Sequence, residues 1–260
     1  MSGNIDIDRD SKGIGTVWID NPAHRNALNN DLIERLIEAF GTLSADAGCR
    51  AIVLRGRGGI FCAGRELRDL IALNQSSLDA VEATYQRLRR LNEAIYYSPK
   101  PTICVIEKYA FGAGATIVSW CDLAIAEAGA MMSYPEVHHG ITPAPAVMAM
   151  LRGLTRKATM DLLLTGRRIA MPEAHQLGLI TRMVPGAELE RELADVLQAI
   201  RRGSPAAIRR TKEFIWQCED ASHRSGMASA VDSISAGILS PEARDGIGAF
   251  LEKRPPTWFQ

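Results

Sequence analysis

The stretch 61-FCAGRELRDL-70 follows an apolar run, Ala51-Ile52-Val53-Leu54, and passes through small residues into a helical pattern opening at Arg65 and Glu66. Core packing alone does not require a strand to end in Ala63-Gly64 and turn at once into a helix. Such a junction presents the unpaired N–H groups of a helix's first turn to something partly negative. A second junction of the same design lies at 109-YAFGAGATIVSWCD-122, where Gly112 to Ala115 follow the buried strand 101-PTICVIE-107 and precede a helix. Two such turns can aim two backbone N–H groups at one carbonyl oxygen. In an oxyanion hole of that kind each donor contributes about 3–4 kcal/mol of transition-state stabilisation. Taken singly, either turn is equally an adaptation for close packing, because small residues let elements approach.

Outward from these turns the first half of the chain alternates strand, turn and helix. Residues 14-IGTVWID-20 read as a strand, 21–29 as a turn, and 30-NDLIERLIEAFGTL-43 as a helix with Leu32, Leu36, Ile37 and Phe40 on one face. A strand at 50-RAIVLRG-56 follows, and residues 78–97 form a long amphipathic helix stopped by Ser98-Pro99. The segment 108–137 reads as turn, helix, strand, turn and short strand. The pattern recurs at intervals of roughly 40–50 residues, which predicts stacked layers. From Ala144 to about Ala199 helical patterns dominate, broken at 165-TGRRIAMPEAHQLGLI-180 and at the strand-like 181-TRMVPG-186; residues 205–254 read as further helices. This predicts an α/β core over 1–199 and a helical region over 200–260.

Composition narrows the function classes. The 260 residues are 47% hydrophobic and 23% charged, as in an ordinary globular protein. Lys+Arg and Asp+Glu both total 30, so there is no basic excess of the kind that drives nucleic-acid binding. The start, 1-MSGNIDIDRDSKG-13, is polar with no apolar h-region, and no apolar run reaches about 18 residues, so neither a signal peptide nor a membrane span is expected. Five cysteines, odd in number and without CxxC spacing, predict buried thiols in a reducing cytoplasm. No metal is expected: His138 and His139 are adjacent, alternate in direction, and read as structural or pocket-lining.

Six stretches in order carry a resemblance over nearly the whole chain: 21-NPAHRNAL-28, 61-FCAGRELRDL-70, 109-YAFGAGATIVSWCDLAIA-126, 134-YPEVHHGI-141, 162-LLLTGRRIAMPEAHQLGLI-180 and 249-AFLEKRPPTW-258. Their order and content resemble the crotonases, the enoyl-CoA hydratase/isomerase superfamily. The resemblance implies a crotonase-like spiral of ββα units followed by C-terminal trimerisation helices, assembled as a homotrimer or a dimer of trimers. It implies an acyl-CoA thioester substrate, with coenzyme A belonging to the substrate rather than acting as a separate cofactor. The thioester carbonyl would receive the N–H groups of Arg65 and Ala113. Arg25, Ala27 and Leu28 fall where the family holds pantetheine and adenine, and Ala63 beside the adenine. Arg68 and Lys253 fall where cations meet the CoA phosphates, Lys253 reaching across from a neighbouring subunit.

The resemblance also sets the acid/base question. Hydratases of this family carry two glutamates that share the addition of water to a conjugated double bond. Glu136 matches one of them. The other position, four residues after Gly112, is Thr116, which can hold a water by hydrogen bonding or simply pack, but cannot act as a carboxylate base. One glutamate suffices for a 1,3-proton shuttle, and relatives with a small residue here still add water. Hydration with a single glutamate is therefore the leading expectation, with enoyl-CoA isomerisation, or acyl-CoA binding without catalysis, as the alternatives. Pro143, Ala144 and Pro145 stiffen the segment after Gly140 and predict an apolar wall to the acyl pocket. Tyr85 falls on the segment that lines that pocket in the family. Tyr96, Tyr97, Trp120, Met131 and Met132 read as core. Cys62 is expected to be buried and inert.

Overall fold

The computed structural model describes residues 3–219 and 223–259. Met1 and Ser2, at the head of the polar N-terminal stretch, and residues 220–222, within the predicted C-terminal helices, lie outside the described residues. In chain order the elements are β1 (Asn4–Arg9), β2 (Ile14–Asp20), α1 (Asn30–Ala45), β3 (Ala51–Gly56), α2 (Leu67–Asn74), α3 (Leu78–Tyr96), β4 (Thr102–Ile106) and β5 (Tyr109–Phe111). Next come α4 (Ala113–Trp120), β6 (Leu123–Glu127), β7 (Met131–Ser133), α5 (Ala144–Gly153), α6 (Arg156–Thr165), β8 (Ile169–Ala170) and α7 (Met171–Leu177). The chain ends with β9 (Arg182–Val184), α8 (Leu189–Arg202), α9 (Pro205–Glu219), α10 (His223–Ile238) and α11 (Pro241–Glu252).

Two sheets organise these elements. The larger runs β1-β2-β3-β4-β6-β9, parallel except for the β1–β2 pair. Every residue of β3 and β4 is buried, which is why both read as continuous apolar runs rather than alternating ones. The smaller sheet is β5-β7-β8, and single bridges extend it backwards: Leu28 pairs with Arg65, and Cys62 with Ala110. Successive passes of the chain thus stack one upon another, each giving a strand to the large sheet and an extended segment to the small one. That is the ββα spiral. Leu32, Leu36 and Phe40 of α1 are fully buried with Leu91 and Ile95 of α3 in the main core. Asn29 caps α1 by accepting the Leu32 N–H at 2.8 Å, and Ser77 caps α3 from its side chain.

Helix α8 covers the other face of the large sheet. Its Leu189 and Leu193 pack on Ile14, Val53, Ile103, Val105 and Ile125. The predicted division between residues 199 and 200 falls inside this helix. Two cations, buried Lys212 and half-buried Arg50, fasten the C-terminal region to the core. Lys212 Nζ, on α9, donates to Lys100 O at 2.9 Å and lies 2.5 Å from an Asp122 carboxylate oxygen. The Arg50 guanidinium donates to the carbonyls of Arg201 (3.2 Å), Gly203 (2.9 Å) and Trp258 (2.9 Å). Helices α10 and α11 leave Met227, Val231, Ile234, Ile238, Ile247, Phe250 and Leu251 exposed.

The structure differs from the sequence reading in six places, the first being Cys218, which is exposed although all five cysteines read as buried thiols. β1 was not anticipated: its NIDIDR sequence is polar and largely exposed, leaving no apolar face to read. Residues 109–111, read as a turn, form β5. α2 begins at Leu67, not Arg65, because Arg65 is held extended by its bridge to Leu28 and Glu66 is the N-cap. The break at 165–180 contains helix α7, with Pro172 in its first turn. Tyr97 is 54% exposed and so is not core. Among the described residues no helix is long and apolar enough to cross a membrane, and no group of three or more His, Cys, Asp or Glu could hold a metal.

Candidate active site

The two glycine turns meet. Cys62 N–H donates to Tyr109 O at 3.3 Å and Phe111 N–H returns to Cys62 O at 3.0 Å, so the strand ends carrying the turns run side by side. Gly64 (φ +97°) is in a conformation that L side chains rarely adopt, and a Cβ there would lie 2.8 Å from Phe111 O and 3.4 Å from Ala113 N. Gly114 is pressed as closely: a Cβ would lie 2.7 Å from Cys62 O. Close packing and donor presentation are therefore one design here, since only contact this tight brings Arg65 and Ala113 next to each other. Among the described residues neither the Arg65 N–H nor the Ala113 N–H meets a protein acceptor. Ala113 is the first residue of α4, where no intrahelical partner exists. Arg65 uses the Leu28 bridge only through its neighbours: Leu28 N–H donates to Gly64 O at 2.7 Å, and Glu66 N–H to Leu28 O at 3.0 Å. Arg65 and Ala113, the residues that carry these free donors, line one cleft that opens to solvent.

Glu136 stands across from them. It lies in a short 3₁₀ turn, Pro135–His139, that follows β7 and ends at Gly140 in the left-handed region. Tyr134, fully buried, holds this turn against α4: its hydroxyl bonds Ser119 Oγ at 2.7 Å, while Gly112 N–H donates to Ser133 O at 2.9 Å. The carboxylate is thereby set beside the second glycine turn, with Oε1 3.4 Å from where a Gly112 Cβ would be. Oε2 is buried without a hydrogen-bond partner. Burial pushes the Glu136 carboxyl above its ordinary value, offset in part by a hydrogen bond from its own backbone N–H and by His139. A carboxyl in this state gives and takes a proton nearer neutral pH than an exposed one.

Thr116, one turn into α4, lines the same cleft and is 6% exposed. His139 lines it as well, whereas His138 turns away, its Nε2 lying 2.7 Å from Thr165 O. Pro143, Pro145 and Ile141 form an apolar wall, and Tyr85, Leu88 and Asn92 of α3 face it. Cys62 is fully buried, and burial pushes its thiol up to about 12, out of reach of thiolate chemistry.

The remaining positions from the sequence are spread around this cleft. Ala63 lines it. Its N–H donates to Arg25 O at 3.1 Å, placing exposed Arg25, itself in the left-handed region, at the edge of the same turn. Ala27 is 8% exposed; Leu28 is wholly buried with both backbone groups engaged, and so braces the turn from behind. Arg68 is exposed on α2, one residue from cleft-lining Leu67. Lys253, also exposed, is the left-handed C-cap of α11 and lies outside the cleft lining. The sequence reading missed two positioning residues: Tyr134 and Asn92. Asn92 had a legible signal, an amide on the otherwise apolar buried stripe of Leu88, Leu91 and Ile95.

Fold and cleft together define a spiral α/β protein with paired main-chain donors facing a single carboxylate. Comparison with known proteins identifies the lineage. The enoyl-CoA hydratase/isomerase family model matches residues 9–260. Human enoyl-CoA hydratase domain-containing protein 2, mitochondrial, is 32% identical over 253 residues, covering 95% of this chain and 86% of its own length. The 2,3-dehydroadipyl-CoA hydratase of Escherichia coli is 28% identical over 244 residues, covering 92% of each chain. An enoyl-CoA hydratase crystal structure from Mycobacterium smegmatis matches with a TM-score of 0.93 at 32% identity, covering 98% of this chain and 99% of that one. The chain belongs to the enoyl-CoA hydratase/isomerase family, whose members act on acyl-CoA thioesters, and has its crotonase fold.

Proposed function

We propose that the protein hydrates a 2-enoyl-CoA, holding the thioester oxygen with the Arg65 and Ala113 N–H groups and moving protons with Glu136 alone. The observation that carries this reading is the buried, unpartnered Glu136 Oε2 beside the turn that bears Ala113. Water attacks Cβ and gives its proton to Glu136. The double-bond electrons move to the thioester oxygen, where the two N–H groups stabilise the enolate without needing to reorganise. Glu136 then returns the proton to Cα, so the sum is one water added. Thr116 positions the attacking water or closes the pocket around it. Arg25, Ala27, Ala63 and Arg68 hold the CoA moiety, with Lys253 contributed by a neighbouring copy in a cytoplasmic trimer or dimer of trimers. No cofactor beyond the substrate's own CoA takes part.

One observation favours a second reading, enoyl-CoA isomerisation: Thr116 stands where the family's second glutamate would be, and a proton shuttle between Cα and Cγ needs only one carboxylate. Absorbance at the enoyl-thioester band separates the two. Loss of absorbance with a short trans-2-enoyl-CoA supports hydration; a gain with a trans-3-enoyl-CoA and no reaction of the 2-enoyl isomer replaces it with isomerisation. Binding without either change leaves an acyl-CoA-binding protein.

A further inference from the structure

Arg65 offers the cleft more than its N–H. Its side chain is only 8% exposed, yet the guanidinium has one hydrogen bond, Nη2 to Asn30 Oδ1 at 2.9 Å, and a carboxylate oxygen of Asp69 no nearer than 3.8 Å. Nε and Nη1 are buried with no partner at all. A guanidinium keeps its charge in any protein environment, so burying it with donors unsatisfied is costly unless something completes the set. The other buried cations of this chain have carboxylates close by: Lys212 has Asp122 together with Lys100 O, and Arg55, although its Nε is unpartnered, has Glu107 and Glu190. Among the described residues lining the cleft, Arg65 carries the only guanidinium or ammonium group. It shares that lining with Tyr85, Leu88 and the Pro143–Pro145 wall, the side expected to take the acyl group.

We infer that the Arg65 guanidinium receives a carboxylate on the acyl group, so that the cleft selects a short dicarboxylic acyl-CoA. This rests on the CoA-thioester reading above. A planar, always-charged donor set is suited to one carboxylate. The reach is fixed by the residue itself. Its N–H meets the thioester oxygen while its side chain meets the far end, so the two substrate groups are separated by no more than one arginine side chain. Long fatty chains do not fit that relation. Asp69, the nearest carboxylate to the guanidinium, sits on α2, a helix that buries none of its residues, so it can shift to admit a substrate carboxylate without disturbing the core.

The test is binding, independent of turnover. Calorimetric titration compares glutaryl-CoA and adipoyl-CoA with butyryl-CoA and hexanoyl-CoA. The wild type should bind the carboxylated pair tighter by about tenfold to a hundredfold, the worth of a charge-assisted hydrogen bond. Arg65→Met should close that gap, and Arg65→Lys, which keeps charge but not the planar donor set, should keep part of it. Equal affinities in the wild type overturn the inference, whatever the variants do. So does an equal loss on both series in Arg65→Met, which would place the guanidinium at the CoA phosphates. Binding of butyryl-CoA itself tests the thioester reading separately from the gap.

Discussion

An ionised carboxylate oxygen without a hydrogen-bond partner is a poor arrangement for stability, and Glu136 holds one at the centre of the cleft. Because burial raises its pKa, the folded chain binds a proton there more tightly than the unfolded chain does. Between the ordinary glutamate value and the raised one, stability therefore falls as pH rises. Glu136→Gln removes that penalty, and at pH 7 it should raise the melting temperature while lowering turnover by about 10²–10⁴, the usual worth of a positioned proton-transfer group. Thermal denaturation and single-turnover absorbance on one preparation check both. A fall in both quantities, or a gain in stability without loss of rate, contradicts this account. Activity of the native protein should decline toward acid at a pH above that of an ordinary carboxylate, since hydration needs the base ionised. At position 116, Thr116→Glu restores the two-carboxylate pattern of the family and should increase hydration of crotonyl-CoA, read by initial rates.

At the level of elements, the catalytic geometry depends on contact between two turns rather than on any side chain. Gly114→Ala places a methyl 2.7 Å from Cys62 O, a backbone atom that cannot yield cheaply. A loss of about 1–3 kcal/mol is expected by urea denaturation, with a larger proportional loss of turnover because the N–H pair separates. These glycines were legible: Gly64, Gly112 and Gly114 each stand where a buried strand gives way to a helix. Strands β3 and β4 were legible because a strand covered on both faces must be apolar at every position, and a short unbroken apolar run between turns has that signature. β1 was not, because an edge strand needs only one partner for its backbone and none for its side chains. β5 was hidden by its length of three residues. Glu136 and Thr116 could be placed by resemblance, but the free Oε2 and the unpaired Arg65 donors could not. Those depend on what lies around each group in space, which no local pattern encodes.

For the whole molecule, the C-terminal helices set the expectation. Exposed Phe250 (83%), Leu251 (74%), Ile234 (71%) and Val231 (63%) crowd two consecutive helices. A contiguous apolar surface on such an arm is expected to be buried against other copies of the chain. Light scattering at micromolar concentration should give a trimeric or hexameric mass, and Phe250→Asp with Leu251→Asp should reduce it to that of a monomer. A monomeric mass for the unaltered protein would remove the assembly.

The Arg50 clamp gives this arm a place in time as well as in space. One guanidinium, seated just ahead of β3, grips the carbonyls of residues 201, 203 and 258 together. Trp258 leaves the ribosome after every residue that shapes the cleft. The cleft can therefore close around its turns while the arm is still incomplete, and the third grip forms only once synthesis has passed the arm entirely. Glu242, in the first turn of α11, already holds Ser204 and the Ala206 N–H, so the clamp on Trp258 adds the last tie, beyond the far end of that helix.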